Sequence, residues 1–232
     1  MIFGICDDDL AFADKIQQQL QKFYRDKEQS DIICKIYSSG EELIQSYKND
    51  QIDVVFMDIE VGDELGFSIA KKLVHIDREL AIVYMTNHEN YITSAFVCRP
   101  LGFIRKKFLE QDFIIAMEEV DSYIGAKYKT ITFASGEEVL LYNIHVIEVY
   151  DHRMVILFKE HSLVVKDNLK KYEEELRKND FAKISRNRVV NLRYVIEMNG
   201  KKIETQDGYK LEISKNRLRE IRDTWKRYCM LH

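Results

Sequence analysis

The feature that most constrains this chain is an alternation, repeated five times in its first half, between a short apolar run and a longer stretch with helical spacing. Ile2-Phe3-Gly4-Ile5-Cys6 reads as a buried strand, after which Leu10, Ala13, Ile16, Leu20, Phe23 and Tyr24 recur along one helix face. The cycle returns as Ile32 to Tyr37 with Glu41 to Tyr47, Asp53 to Met57 with Gly66 to Val74, Leu80 to Met85 with Asn90 to Val97, and Leu101 to Arg105 with Phe108 to Ile124. Strands that are apolar throughout belong to a parallel sheet covered on both faces. An α/β domain is therefore expected in the first half of the chain, built on a doubly wound, five-stranded parallel sheet.

Such folds carry their chemistry just beyond the carboxyl ends of the strands. There the sequence places Asp7, Asp8 and Asp9 after the first strand, Asp58 at the end of the third, Thr86 at the end of the fourth and Lys106 at the end of the fifth. Gathered carboxylates repel one another unless a cation lies among them, and a hard, oxygen-preferring ion such as Mg²⁺ answers that need. One carboxylate can then attack a phosphoryl group while metal and lysine neutralise its oxygens and Thr86 donates to one of them.

The Asp7-Asp8 pair, Asp58 within Val54-Val55-Phe56-Met57-Asp58-Ile59-Glu60, Thr86 and Lys106 together resemble the receiver domains of two-component response regulators. The resemblance covers residues 1–121 and implies a flavodoxin-like fold in which Asp58 is the phosphoacceptor, served by a sensor histidine kinase. It further implies that Asp7, Asp8, Asp58 and the backbone carbonyl of Glu60 hold Mg²⁺, that Lys106 pairs with the phosphoryl group, and that Thr86 and Phe103 are the coupled switch positions. Two departures stand out. Lys107 occupies the place where receivers usually have Pro, and a trans Lys106–Lys107 bond is expected because a cis non-proline bond costs ~3 kcal/mol. The loop after Asp58 reads Glu60-Val61-Gly62-Asp63-Glu64, which adds negative charge beside the site.

Charge divides the chain. Residues 1–125 carry 13 Lys and Arg against 23 Asp and Glu, a net −10, whereas residues 126–232 carry 22 against 16, a net +6. The overall −4 thus hides a basic half that a polyanion can attract. The alternation also stops near Gly125-Ala126-Lys127-Tyr128, which sets a linker at 122–128 and a second domain at 129–232. That domain reads as mostly β: Thr130 to Phe133, Glu138 to Tyr142, Val146 to Tyr150, Met154 to Phe158, Leu163 to Val165, Ile196 to Met198, Lys202 to Glu204 and Tyr209 to Ile213. A helix is expected at Leu169 to Lys178 and a basic one from Asn216 to about Cys229. No helix-turn-helix pair or zinc finger is evident.

Asn143-Ile144, Glu148, Asn168-Leu169, the run Phe181 to Leu192 and Ile213-Ser214-Lys215-Asn216 resemble the LytTR DNA-binding domain of LytR/AlgR-type response regulators. That likeness implies loops entering successive major grooves of double-stranded promoter DNA, with His152, Arg186 and Lys215 at the contact positions and Arg153, Asn187 and Arg188 as neighbours. It also implies a homodimer on DNA or when phosphorylated. Arg can pair bidentately with guanine and Asn with adenine, so these residue types suit groove readout. Val189 and Val190 are expected in the core, and Asn191 is expected to hold a backbone turn.

The function expected is a phosphorylation-controlled transcription factor rather than an enzyme. Two other readings use the same residues: a degenerate receiver with a DNA- or protein-binding basic domain, and a Mg²⁺-dependent aspartyl-phosphate hydrolase, against which stands Glu60 where such enzymes need an aspartic acid. Scattered Cys6, Cys34, Cys98 and Cys229 are expected as reduced, mostly buried thiols without zinc or disulfides. No apolar run approaches the ~20 residues of a membrane span, so the chain is expected in the cytoplasm with no membrane partner.

Overall fold

A computed structural model describes residues 1–29, 31–77, 80–87 and 100–231. The chain divides into two compact units, Met1–Ile124 and Gly125–His232.

The first unit runs β1 (Ile2–Cys6), α1 (Leu10–Asp26), β2 (Ile33–Tyr37), α2 (Gly40–Asp50), β3 (Val54–Asp58), β4 (Glu60–Val61), β5 (Glu64–Leu65), α3 (Gly66–Ile76), β6 (Ala81–Thr86), β7 (Gly102–Arg105) and α4 (Leu109–Lys127). Its main sheet has the order β2-β1-β3-β6-β7, and every pairing in it is parallel. Successive strand residues point to opposite faces. Phe3, Ile5, Val54, Phe56 and Val83 therefore pack with Phe12, Ile16 and Leu20 of α1 and Phe113, Met117 and Val120 of α4. Val55, Met57, Ile82 and Tyr84 pack on the other side with Leu43 of α2 and Ile69 and Leu73 of α3. Burial on both faces is why these strands read as unbroken apolar runs. The helix expected at Asn90 to Val97 lies outside the described residues, as does Cys98. Residues 122–127 of the expected linker belong to α4.

The second unit runs β8 (Thr130–Thr132), β9 (Glu138–Leu140), β10 (Val146–Tyr150), β11 (Arg153–Leu157), β12 (Ser162–Val165), α5 (Glu173–Lys178), β13 (Phe181–Ser185), β14 (Arg188–Asn191), β15 (Val195–Asn199), β16 (Lys202–Thr205), β17 (Lys210–Glu212) and α6 (Leu218–Leu231). An antiparallel sheet of order β12-β11-β10-β14-β13 forms its centre, beside the three-stranded β15-β16-β17 and the two-stranded β8-β9. One face of the central sheet packs Ile147, Met154, Ile156 and Val189 with Leu176, and the other packs Val146, Ile184 and Val190 with Ile203, Leu211 and Ile221. Buried His145 lies flat against Tyr194 and is hydrogen-bonded to Asp207, while its burial keeps the imidazole pKa below the usual value.

Several expectations are corrected here. The run Phe181 to Asn191, in which the sequence shows no element, contains β13 and β14, two short strands whose polar residues hide the pattern. The interval Leu169 to Lys178 is a 3₁₀ turn (Leu169–Lys171) followed by a six-residue helix. The C-terminal helix starts at Leu218 after a 3₁₀ turn at Lys215–Arg217. Cys6 is buried, but Cys34 is only partly covered and Cys229 is exposed on the outer side of α6. Val189 and Val190 are core, and Asn191 holds its turn by donating Nδ2–H to Ile144 O at 2.9 Å and accepting from the Arg193 amide at 3.1 Å.

Candidate functional sites

Register brings the acidic site together. Asp58 pairs with Met85 on β6, and the next residue, Thr86, pairs with Arg105 on β7, immediately before Lys106. Asp7 follows Cys6, which pairs with Met57 beside Asp58. Three adjacent strands thus deliver Asp7, Asp58 and Thr86 to one rim, and the turn after the fourth delivers Lys106.

The Lys106 ammonium donates to Asp7 Oδ2 at 2.7 Å and Asp58 Oδ2 at 2.6 Å, and it stands 4.6 Å from the Phe12 ring centroid. Asp7 is fully buried and Asp58 nearly so, whereas Asp8 is exposed. One oxygen of each of these acids lies within 4.8 Å of the others. Burial, joined by the charge of Asp58, pushes the Asp7 carboxyl up to about 6 despite the hydrogen bond from Lys106. Burial works against the charge on Lys106, yet the two carboxylates hold its pKa above the ordinary lysine value. Behind them the Cys6 thiol is pushed up to about 12, mainly by burial and next by Asp7 and Asp58, so it stays protonated.

The rest of the acidic run has other work. Asp9 caps α1, its Oδ1 accepting from the amides of Ala11 and Phe12 at 3.0 and 3.2 Å. The segment after Asp58 is a miniature hairpin of β4 and β5, turned by Gly62 at φ 58°. The Gly62 amide donates to Asp8 Oδ2 at 3.2 Å and the Glu60 amide approaches Asp58 Oδ1 at 3.4 Å. Gly66 must be glycine because a Cβ there would stand 2.1 Å from the Asp58 carbonyl oxygen. The sequence reading places no strand in this loop, since two-residue strands carry too little pattern to detect.

The Lys106–Lys107 bond is trans, as expected without proline. A clamp that the sequence reading does not contain holds this corner: Arg105 grips Asp112 through Nε and Nη2 at 2.8 and 2.9 Å, and its amide adds a third bond at 2.9 Å. Those bonds hold the Asp112 carboxyl below the usual range. Thr86 is 1% exposed. Phe103 is half-buried and stacks on Tyr84, its partner across β6 and β7, at 5.8 Å between ring centroids.

The basic site lies at one end of the central sheet of the second unit. Asp151 and His152, both at positive φ (45° and 60°), form a two-residue hairpin turn closed by the Tyr150–Arg153 pair. Neither is a glycine, and left-handed backbone costs such residues ~1–2 kcal/mol each, a strain typical of functional tips. Arg186 and Asn187 form the turn between β13 and β14, closed by Ser185 opposite Arg188. The Asn187 carbonyl accepts from the Val149 amide at 2.8 Å, so both tips project from the same end. His152, Arg186 and Asn187 line one concavity there, together with Lys166 and Lys170, which the sequence reading does not single out. Lys215 follows Ser214, whose amide bonds to Ile184 O at 3.0 Å beside the β13–β14 turn, but it is not part of that lining. Arg153 is exposed. Arg188 is engaged instead, with Nε 2.5 Å from Glu148 and Nη2 3.3 Å from the Tyr150 hydroxyl.

Comparison with known proteins finds a family match for each unit. Residues 3–118 match the response regulator receiver domain family and residues 136–226 match the LytTr DNA-binding domain family. The sensory transduction protein LytT of Bacillus subtilis is 23% identical over 237 residues, covering 94% of this chain and 96% of its own length. The sensory transduction protein LytR of Streptococcus mutans is 26% identical over 163 residues, covering 64% of this chain and 67% of its own. Among solved structures, the N-terminal domain of a response regulator/sensory box/GGDEF protein from Carboxydothermus hydrogenoformans is 23% identical with a TM-score of 0.46, covering 53% of this chain and 98% of that one. No helix of the described residues is long and apolar enough to cross a membrane. With a receiver domain followed by a LytTr DNA-binding domain, this chain belongs to the response regulators that act on transcription.

Proposed function

We propose that Asp58 accepts a phosphoryl group from a sensor histidine kinase, and that this modification controls how the second unit engages promoter DNA. The observation that carries the reading is the Lys106 ammonium held between Asp7 and Asp58, with Asp8 beside them. Three carboxylates against one ammonium leave two negative charges in excess, and a divalent, oxygen-preferring cation such as Mg²⁺ matches that excess and that donor set. Asp7, Asp8 and Asp58, with the Glu60 carbonyl, would hold it. When bound, Mg²⁺ supplies charge neutralisation for the incoming phosphoryl oxygens.

The residues of the chain do the rest. An Asp58 carboxylate oxygen attacks phosphorus as the phosphorus–nitrogen bond of the kinase phosphohistidine breaks. Lys106 exchanges its carboxylate partner for a phosphoryl oxygen, and the Thr86 hydroxyl donates to another. Thr86 and Tyr84 share a face of β6, so a shift of Thr86 is felt by the ring on which Phe103 stacks. The modified form favours a homodimer, which turns two weak DNA contacts into one strong paired contact. The kinase phosphodonor and the promoter both place this activity in the cytoplasm. His152, Arg186 and Lys215 are assigned to the grooves, with Arg153 and Asn187 beside them, and Arg188 is assigned to support the hairpins through Glu148.

The test incubates the full chain with a small phosphodonor and Mg²⁺, weighs the intact protein, and selects binders from a randomised duplex pool in parallel. A gain of one phosphoryl group that Asp58→Asn abolishes, with a spaced repeat enriched more strongly after phosphorylation, is expected. Labelling that survives Asp58→Asn would remove the phosphoacceptor assignment. Enrichment indifferent to phosphodonor would favour the degenerate-receiver reading.

A further inference from the structure

The unoccupied positive charge of the second unit is not confined to the hairpin tips. β12 runs antiparallel to β11 with Val165 opposite Met154, so the chain leaves β12 at Lys166 on the same end of the sheet as His152 and Arg153. Lys166 and Lys170 are exposed on the wall of the concavity that His152, Arg186 and Asn187 also line. Among the described residues, neither ammonium has an ion pair or a side-chain hydrogen bond.

Of the three acids that line this concavity, Asp151 is exposed at the hairpin tip and the other two are engaged elsewhere. Asp167 accepts from Lys171 and from the Tyr172 hydroxyl, which hold its carboxyl well below the usual range, and from the amides of Ala134 and Asn168. Glu173 is ion-paired with Lys183. Lys171, one residue from Lys170, shows what a structural lysine looks like here: its ammonium lies 2.8 Å from Asp167. Lys166 and Lys170 thus stand exposed beside the proposed reading tips.

We propose that Lys166 and Lys170 are phosphate-binding residues of the DNA interface, gripping the backbone that borders the groove read by the two hairpin tips. This inference rests on the assignment of those tips to DNA. The side-chain type separates the roles: Arg186 offers the planar fork that matches a base edge, whereas an ammonium on a flexible stem acts as a point charge. Both lysines also stand on the chain beside the tips rather than at a tip.

The experiment measures binding of the full chain to a pool-selected duplex and to a scrambled duplex between 50 and 200 mM KCl, by fluorescence anisotropy. Four proteins are compared: wild type, the double variant Lys166→Gln/Lys170→Gln, Arg186→Ala, and Lys159→Gln. Lys159 lies in the turn between β11 and β12 at the opposite end of the sheet and serves as the control. The double variant is expected to weaken both duplexes by the same factor and to reduce the slope of log affinity against log salt by about 1.8, from ~0.9 per lost phosphate contact. Lys159→Gln is expected to leave the slope unchanged. An unchanged slope in the double variant, or a loss confined to the selected duplex, would overturn the proposal. Arg186→Ala reports separately on the tips: if it leaves the preference for the selected duplex intact, the assignment of the tips fails, while the slope still judges the lysines.

Discussion

The two charged sites sit at corresponding places, each at one end of a five-stranded sheet, yet they are built on opposite principles. At the end of the parallel sheet, Asp7 and Asp58 are buried and each is bonded to the largely covered ammonium of Lys106, so the lysine fixes the position of both. At the end of the antiparallel sheet, His152, Arg186, Lys166 and Lys170 are carried on turns and loops without partners among the described residues. A small reactive group needs fixed geometry in a low dielectric, which demands burial and mutual compensation. A long polyanion supplies its own compensation, so the cations that meet it are left exposed.

That contrast can be broken where it is strongest. Removing the ammonium with Lys106→Met leaves Asp7 and Asp58 buried and uncompensated, and is expected to cost about 3 kcal/mol of receiver stability in metal-free urea unfolding. Added Mg²⁺ should recover part of the loss. A variant as stable as wild type would show that the pair is not the keystone of the site. In the exposed site, Arg186→Ala should leave stability unchanged but lower base discrimination by about 1–3 kcal/mol in competition binding.

Protons sharpen the comparison further. With its carboxyl raised to about 6, Asp7 binds a proton in the folded state over a range where the unfolded chain, near 3.9, does not. Its contribution to stability is therefore complete below about 4 and is lost as pH rises through 6. Between pH 7 and pH 5 the metal-free wild type should gain about 1 kcal/mol relative to Asp7→Asn. Equal pH slopes for the two proteins would contradict it. The smallest effect belongs to Arg188. Its pairing with Glu148 predicts that Arg188→Ala costs about 0.5–1 kcal/mol of stability and changes base preference far less than Arg186→Ala.

Legibility in the sequence follows the same division. The parallel-sheet unit was readable because its strands are buried on both faces, which leaves uninterrupted apolar runs whose ends point at Asp7, Asp58 and Thr86. The β4–β5 hairpin was not, since its two-residue strands show no period and its position depends on the Gly62 amide reaching Asp8 across the chain. The Arg105–Asp112 clamp escaped for a different reason: a charged pair seven residues apart looks like ordinary solvated surface until a strand and a helix bring the two together. In the second unit, Lys183, Ser185 and Arg188 interrupt the short apolar stretches of β13 and β14, so the hairpin carrying Arg186 had a motif but no visible strands.

By itself, then, the sequence determined the α/β-then-β order, the acidic and basic halves, and the residues that end each parallel strand. These follow from local burial patterns and composition, which one chain displays along its length. Tertiary structure alone decided that Lys106 bridges Asp7 and Asp58, that Arg188 is spent on Glu148, and that Lys166 and Lys170 share a wall with His152 and Arg186. Each of those depends on register between strands distant in sequence, and register is set by the packing of whole sheets rather than by any segment within them.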